Sequence, residues 1–164
     1  MRLSVFVCLS ISMFLSPVRV LGQHQEPTVP TVSQASPVGR WKTFDDATGK
    51  ATSVVSIWEE KGKLYGRIEK LIDPDPKDPD PGCDRCEDEL KDKPLIGLRI
   101  LWDLRKDGDA WSGGRILDPD NGKVYKCSIT VEHDGEKLKV RGFIGLANDP
   151  IAKTFMTILL VRCE

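Results

Sequence analysis

The chain has 164 residues, with 24 Lys+Arg against 25 Asp+Glu and a formal net charge of −1. That length suits one ordinary domain rather than two, and the near-zero charge argues against a nucleic-acid protein, which would show a basic excess. Fourteen Gly and eleven Pro, placed in short turn-like clusters between β-branched and aromatic runs, point to an all-β fold.

The amino terminus reads as an export signal. Met1-Arg2 gives a short positive start, Leu3 to Val18 is almost entirely apolar or Ser, and Val20-Leu21-Gly22 offers small or permissive residues before Gln23. No stretch reaches the ~20 apolar residues a membrane-crossing helix needs, so no transmembrane span is expected once residues 1–22 are cleaved. Cys8 follows the bulky Val5-Phe6-Val7, a poor lipoprotein site. Cleavage would remove Arg2 and Arg19, leaving 22 basic residues against 25 acidic, a charge of −3. A periplasmic or secreted location follows, with no nucleic-acid partner. Residues 23–37 (QHQEPTVPTVSQASP) have few apolar side chains to bury and read as a flexible linker ahead of a domain over 38–164. His24 falls in that linker and is assigned no role.

From Val38 the apolar pattern has a step of two. Lys61-Gly62, Asp107-Gly108, Asn121-Gly122 and Asp134-Gly135 stand between strand-like runs and supply the positive φ of tight hairpins. Strands are predicted near residues 39–45, 52–59, 63–72, 96–104, 110–117, 123–133, 136–144 and 153–162. Ile96, Leu98, Ile100, Trp102 and Leu104 share one parity, as do Tyr125, Cys127, Ile129 and Val131, and Leu138, Val140, Gly142 and Ile144. Each strand thus has one apolar and one wet face. Eight strands joined mostly by short turns predict an antiparallel up-and-down barrel, whose closure removes exposed edges. Such an interior either fills with side chains or holds one small ligand.

Gly39-Arg40-Trp41 opens the first strand and Arg162 lies near the end of the last. This resembles lipocalin/calycin-like barrels, where a Gly-x-Trp packs its indole at the barrel floor and a final-strand Arg covers it. The resemblance makes Gly39, Trp41 and Arg162 a structural floor, with a cation–π contact worth about 0.5 to 2 kcal/mol.

More broadly, Val38 to about Gly145 resembles the bacterial family of small exported proteins called domain of unknown function 2147. The likeness rests on Gly39-Arg40-Trp41, the Asp-Pro and Cys-x-x-Cys segment ending at Cys86, Pro94-Leu95-Ile96-Gly97-Leu98, Trp111-Ser112-Gly113-Gly114-Arg115-Ile116-Leu117-Asp118-Pro119, Asn121-Gly122-Lys123-Val124-Tyr125, and Leu138 to Gly145. It implies a lipocalin-like barrel in the envelope or outside the cell, with no established activity. The chain departs from the family at its end. There Ala152-Lys153-Thr154 leads into Phe155 to Cys163, without the family's late Trp and with an added Cys163.

Cys83, Cys86, Cys127 and Cys163 remain after signal cleavage. An even number in an exported chain argues for disulfides, with three connectivities open, and pairing Cys83 with Cys86 and Cys127 with Cys163 uses every thiol. A redox role for Cys83-Asp84-Arg85-Cys86 is disfavoured because nearby acids raise a thiol pKa. Zinc would need a second ligand pair, which the chain lacks.

Asp73 to Pro94 carries nine carboxylates and four Asp-Pro pairs. Lys77 and Asp78 spoil an EF-hand match, leaving a solvated, disulfide-pinned connection, with calcium or a basic partner as alternatives. No metal or cofactor is expected. His133 is the only His beyond the linker, and Glu59 and Glu60 point to opposite faces of a strand, so an enzyme is not expected. The predicted function is binding of a small apolar molecule in the barrel, with Trp58, Tyr65, Trp102, Trp111 and Tyr125 as lining. The alternative is an envelope structural or interaction protein with a filled barrel. Side-chain volume in the interior separates the two.

Overall fold

The computed structural model describes residues 35–144 and 153–163. The expected signal segment 1–22 and the linker up to Gln34 lie outside the described residues. Eight strands form a closed antiparallel barrel with sequential neighbours. They are β1 (Gly39–Phe44), β2 (Ala51–Glu60), β3 (Lys63–Leu71), β4 (Arg99–Asp107), β5 (Ala110–Asp118), β6 (Lys123–Glu132), β7 (Lys137–Ile144) and β8 (Lys153–Arg162). Closure is completed where β1 meets β8, with Trp41 opposite Arg162 and Lys42 opposite Val161. Every strand thereby has two partners, so the barrel presents no open edge.

The up-and-down order gives the barrel two distinct ends. The start of β1, the end of β8 and the short turns at Lys61-Gly62, Gly108 and His133–Gly135 lie at one end, the floor. The Asp45–Lys50 turn, the 72–98 connection and the Pro119–Gly122 turn lie at the other, the mouth. Inside runs one apolar cluster. Val55 and Ile57 of β2, Leu64 and Ile68 of β3, Leu101 and Leu104 of β4, Ile116 of β5, Cys127 and Ile129 of β6, Leu138 and Val140 of β7 and Leu160 of β8 are all at most 5% exposed. The interior glycines are closely approached as well. A Cβ at Gly142 would sit 2.5 Å from Met156 Cγ, and one at Gly66 would sit 2.8 Å from Leu101 Cδ1. The interior is built as a packed core.

Three expectations are corrected. First, β4 starts at Arg99 rather than near residue 96. Gly97 has φ +87°, the Leu98 amide turns back to the Leu95 carbonyl, and the Ile96 amide is taken by the Asp80 carboxylate, so Leu95–Leu98 belongs to the connection. Second, the strict alternation of Ile96 to Leu104 fails. Asp103 adopts φ +59° and the β3–β4 register shifts on both sides of Gly66, bulges that turn Leu101 inward and Trp102 outward. Ile144, which parity places inward with Gly142, is the last residue of β7 at the mouth and is 60% exposed.

Third, Cys127 and Cys163 are not bonded to each other. Cys127 stands opposite Gly142, which stands opposite Met156. Cys163 lies seven residues beyond Met156, about 23 Å at strand rise, whereas a disulfide needs Cα atoms within roughly 7 Å. Burial pushes the Cys127 thiol well up, so it stays protonated and packs as a small hydrophobe. Cys83 and Cys86 are bonded as expected, with Cα atoms 5.3 Å apart.

Candidate functional site

The floor is sealed by residues already adjacent through topology. Trp41 is fully buried and its Nε1 donates to the Pro37 carbonyl at 2.8 Å. The Arg162 guanidinium lies 4.2 Å from the Trp41 ring centroid. It donates to the carbonyls of Gly135 (2.6 Å), Ser36 (2.7 Å) and Val38 (3.3 Å). Gly39, at φ +140°, lets that guanidinium in, since a Cβ there would stand 2.8 Å from Arg162 Nη1. Three acceptors fix the planar fork while the ring takes its face, an arrangement a lysine could not satisfy. Pro37 is fully buried, so the last linker residues belong to the floor.

The mouth is covered by the 72–98 connection. Cys83 and Cys86, 1% and 3% exposed, join the core cluster, and Leu90 and Leu95 pack against it. The connection is anchored to the β5–β6 turn by Arg85, which donates to the Asp120 carbonyl at 2.6 Å. Gly122 completes the fit: at φ +73° it lies so close to Arg85 that a Cβ would overlap the Arg85 carbonyl. Several carboxylates serve local turns. Asp80 accepts from the Ile96 amide and Asp75 from the Lys77 amide. Among the described residues no group of three or more His, Cys, Asp and Glu side chains could hold a metal ion.

Two hollows open beside this cover. The larger, about 730 Å³, lies between Glu87–Leu90 and the strand segments Gly122–Tyr125 and Ile144. The smaller, about 340 Å³, is lined by Leu90, Lys93, Pro94 and Ile96–Arg99. Leu90 is the ridge shared by both. The larger groove has an unusual wall, because Val124 is 47% and Ile144 60% exposed, with buried Tyr125 at its base. The Tyr125 hydroxyl accepts from Asn121 Nδ2 at 3.1 Å. Asn121 Nδ2 also reaches Asp118, whose carboxyl is raised above its ordinary value chiefly by partial burial.

The five expected lining residues are divided by the barrel wall. Only Trp111 and Tyr125 belong to the interior, Trp111 toward the floor and Tyr125 at the mouth. Trp111 Nε1 is buried without a hydrogen-bond acceptor among the described residues. Trp58, Tyr65 and Trp102 lie half-buried on the outer wall instead. Trp58 stacks on Tyr65 with centroids 6.0 Å apart. Arg67 and Arg99 lie 5.9 and 5.7 Å from the Trp58 centroid, and Arg115 lies 5.9 Å from that of Trp102. The sequence reading missed Leu90, Val124 and Ile144. Their only signal is the apolar side chain placed on a strand end or in a loop.

One solved structure corroborates the architecture. It is reported as protein HP1028 from the human pathogen Helicobacter pylori, a member of the lipocalin family; the TM-score is 0.64 at 20% identity, covering 79% of this chain and 84% of that one. At that identity the likeness shows the fold, a lipocalin-like barrel. No curated protein sequence matches the chain. The family model described as "Uncharacterized protein conserved in bacteria (DUF2147)" matches residues 39–154, which run from the glycine of the floor into β8, and the chain belongs to that family.

Proposed function

We propose that the protein binds a small, mostly apolar molecule, held in the groove at the barrel mouth rather than inside the barrel. One observation carries this reading: Val124 and Ile144 are exposed to solvent side by side with Leu90 and Tyr125 in one concave wall. The interior that the sequence reading favoured is occupied by its own side chains. Covering about 200 Å² of apolar surface is worth about 5 kcal/mol before the costs of association. Glu87, Asp88 and Glu89 outnumber Lys123 in the groove's lining, which favours a ligand with a cationic end. A second reading, an envelope interaction protein with a filled barrel, draws on the packed interior and on the outer-wall Trp–Arg stacks.

Titration calorimetry with decylamine and with decanoate tests the proposal. The amine is expected to bind more tightly than the acid, and Ile144→Asp to abolish binding while thermal unfolding stays intact. Equal affinity of Ile144→Asp and the parent for decylamine, or no binding of either probe to the parent, would sink it.

A further inference from the structure

The outer wall over β2 to β6 carries a charge pattern the barrel does not need. Arg67 stands directly opposite Arg99, and Arg115 directly opposite Lys126. Like charges facing each other across strands destabilise a sheet. All four side chains are exposed, and none forms a salt bridge among the described residues. Aromatic faces hold the arginines up. Arg67 and Arg99 lie over Trp58, Arg99 lies 5.3 Å from the Tyr65 centroid, and Arg115 lies over Trp102. The nearby acid, Asp103, is already engaged, with Lys63 donating at 2.7 Å and the Tyr65 hydroxyl at 3.2 Å. Trp, Tyr and Arg in one cluster is the composition of interface hot spots.

The chain also holds a segment of matching chemistry. Asp73 to Pro81 reads DPDPKDPDP, and residues 73–79 are all exposed. Its proline rings suit aromatic faces, and the interleaved carboxylates suit arginine forks. The segment is held in a compact acidic turn, with the Asp78 amide bonded to the Asp75 carbonyl at 2.9 Å, so its carboxylates are presented together to a cationic wall. We infer that the Trp58–Tyr65–Trp102 wall with Arg67, Arg99 and Arg115 is a self-association surface, and that its occupant is the Asp73–Pro81 segment of a second copy of this chain. The inference concerns a different face from the mouth groove and stands independently of it.

Sedimentation velocity of the purified protein at low and high salt, over a concentration series, tests this. Association at low salt that weakens at high salt is expected. Arg67→Glu with Arg99→Glu, and separately Asp73→Lys with Asp78→Lys, are each expected to weaken it roughly tenfold or more, with circular dichroism unchanged. Mixing the two variants should restore association, because the wall variant's unchanged acidic segment then meets the segment variant's unchanged cationic wall. A parent that stays monomeric at low salt overturns the inference, as does association that survives either double variant or is not restored on mixing. The same holds if the monomeric parent instead sediments with vesicles containing phosphatidylglycerol, which would assign the wall to an anionic lipid surface.

Discussion

The two ends of the barrel are closed by different means. At the floor, closure comes from one cation with a full set of partners, Arg162, bonded to three carbonyls and stacked on a fully buried Trp41. At the mouth it comes from a long connection pinned by a four-residue disulfide and a tight backbone approach at Gly122. The floor uses buried, directional interactions and leaves no room. The mouth uses covalent and shape restraints on an acidic, proline-rich cover, and beside that cover lies the groove with exposed Val124 and Ile144.

The largest test of this contrast is at the floor. Trp41→Ala is expected to lower unfolding free energy by about 3 to 5 kcal/mol, and Arg162→Ala by about 3 kcal/mol, both read by urea denaturation. Arg162→Lys should recover only a small part, since an ammonium cannot match three carbonyls and a ring face. At the mouth, Cys83→Ser with Cys86→Ser is expected to cost about 2 kcal/mol at most. Its sharper signature is faster amide exchange confined to the connection and the Pro119–Gly122 turn. Equal losses from the floor and mouth variants, or faster exchange at the floor in the cysteine variant, would break the distinction.

A smaller effect concerns Asp118, whose folded carboxyl is raised above the ordinary 3.8, mainly by desolvation. A raised folded value means its ionisation opposes folding, so its favourable contribution is full at acid pH and lost as pH rises through the folded value. Asp118→Asn is therefore expected to help most at neutral pH, by a small amount because solvent screens this partly exposed group, with the advantage vanishing as pH falls below the ordinary carboxylate range. Asp45 and Asp103 are lowered, Asp45 by hydrogen bonds from Thr48 and Asp103 chiefly by the hydrogen bond from Lys63. Their contributions run the opposite way and are lost as pH falls, so the variant should show a steeper acid limb than the parent. The last test leaves stability untouched. In thiol labelling mapped by mass spectrometry, Cys163 should react in the native protein, Cys127 only on unfolding, and Cys83 and Cys86 only after reduction.

The barrel and its floor were legible in the residues because they depend on local rules. Turn dipeptides and period-two alternation set the strands, and the Gly39–Trp41 motif with Arg162 placed the seam. Trp102 was misplaced because a single bulge reverses the side chains beyond it, and nothing in the local composition marks Asp103 as the point of slippage. Ile144 was misjudged because it ends its strand at the open mouth, where an inward parity no longer means burial. The Cys127–Cys163 pairing failed for a related reason. Parity and parsimony say nothing of distance along the strand axis, which only the β6–β7–β8 register supplies. The groove was invisible because it depends on where the 72–98 connection lands, a tertiary outcome of Arg85, the disulfide and Gly122 acting together.

The seam between β1 and β8 joins positions more than a hundred residues apart in the chain, through Trp41 opposite Arg162 and Lys42 opposite Val161. Contacts of such long sequence separation demand the greatest loss of chain freedom before they reward folding. The seven hairpin pairings can zip up in turn, each on its neighbour, whereas the Arg162 lock can form only once both ends of the domain have met. The closing lock is therefore expected to form late in folding, and Arg162→Ala to accelerate unfolding while leaving the refolding rate nearly unchanged, as read by the two arms of a urea chevron.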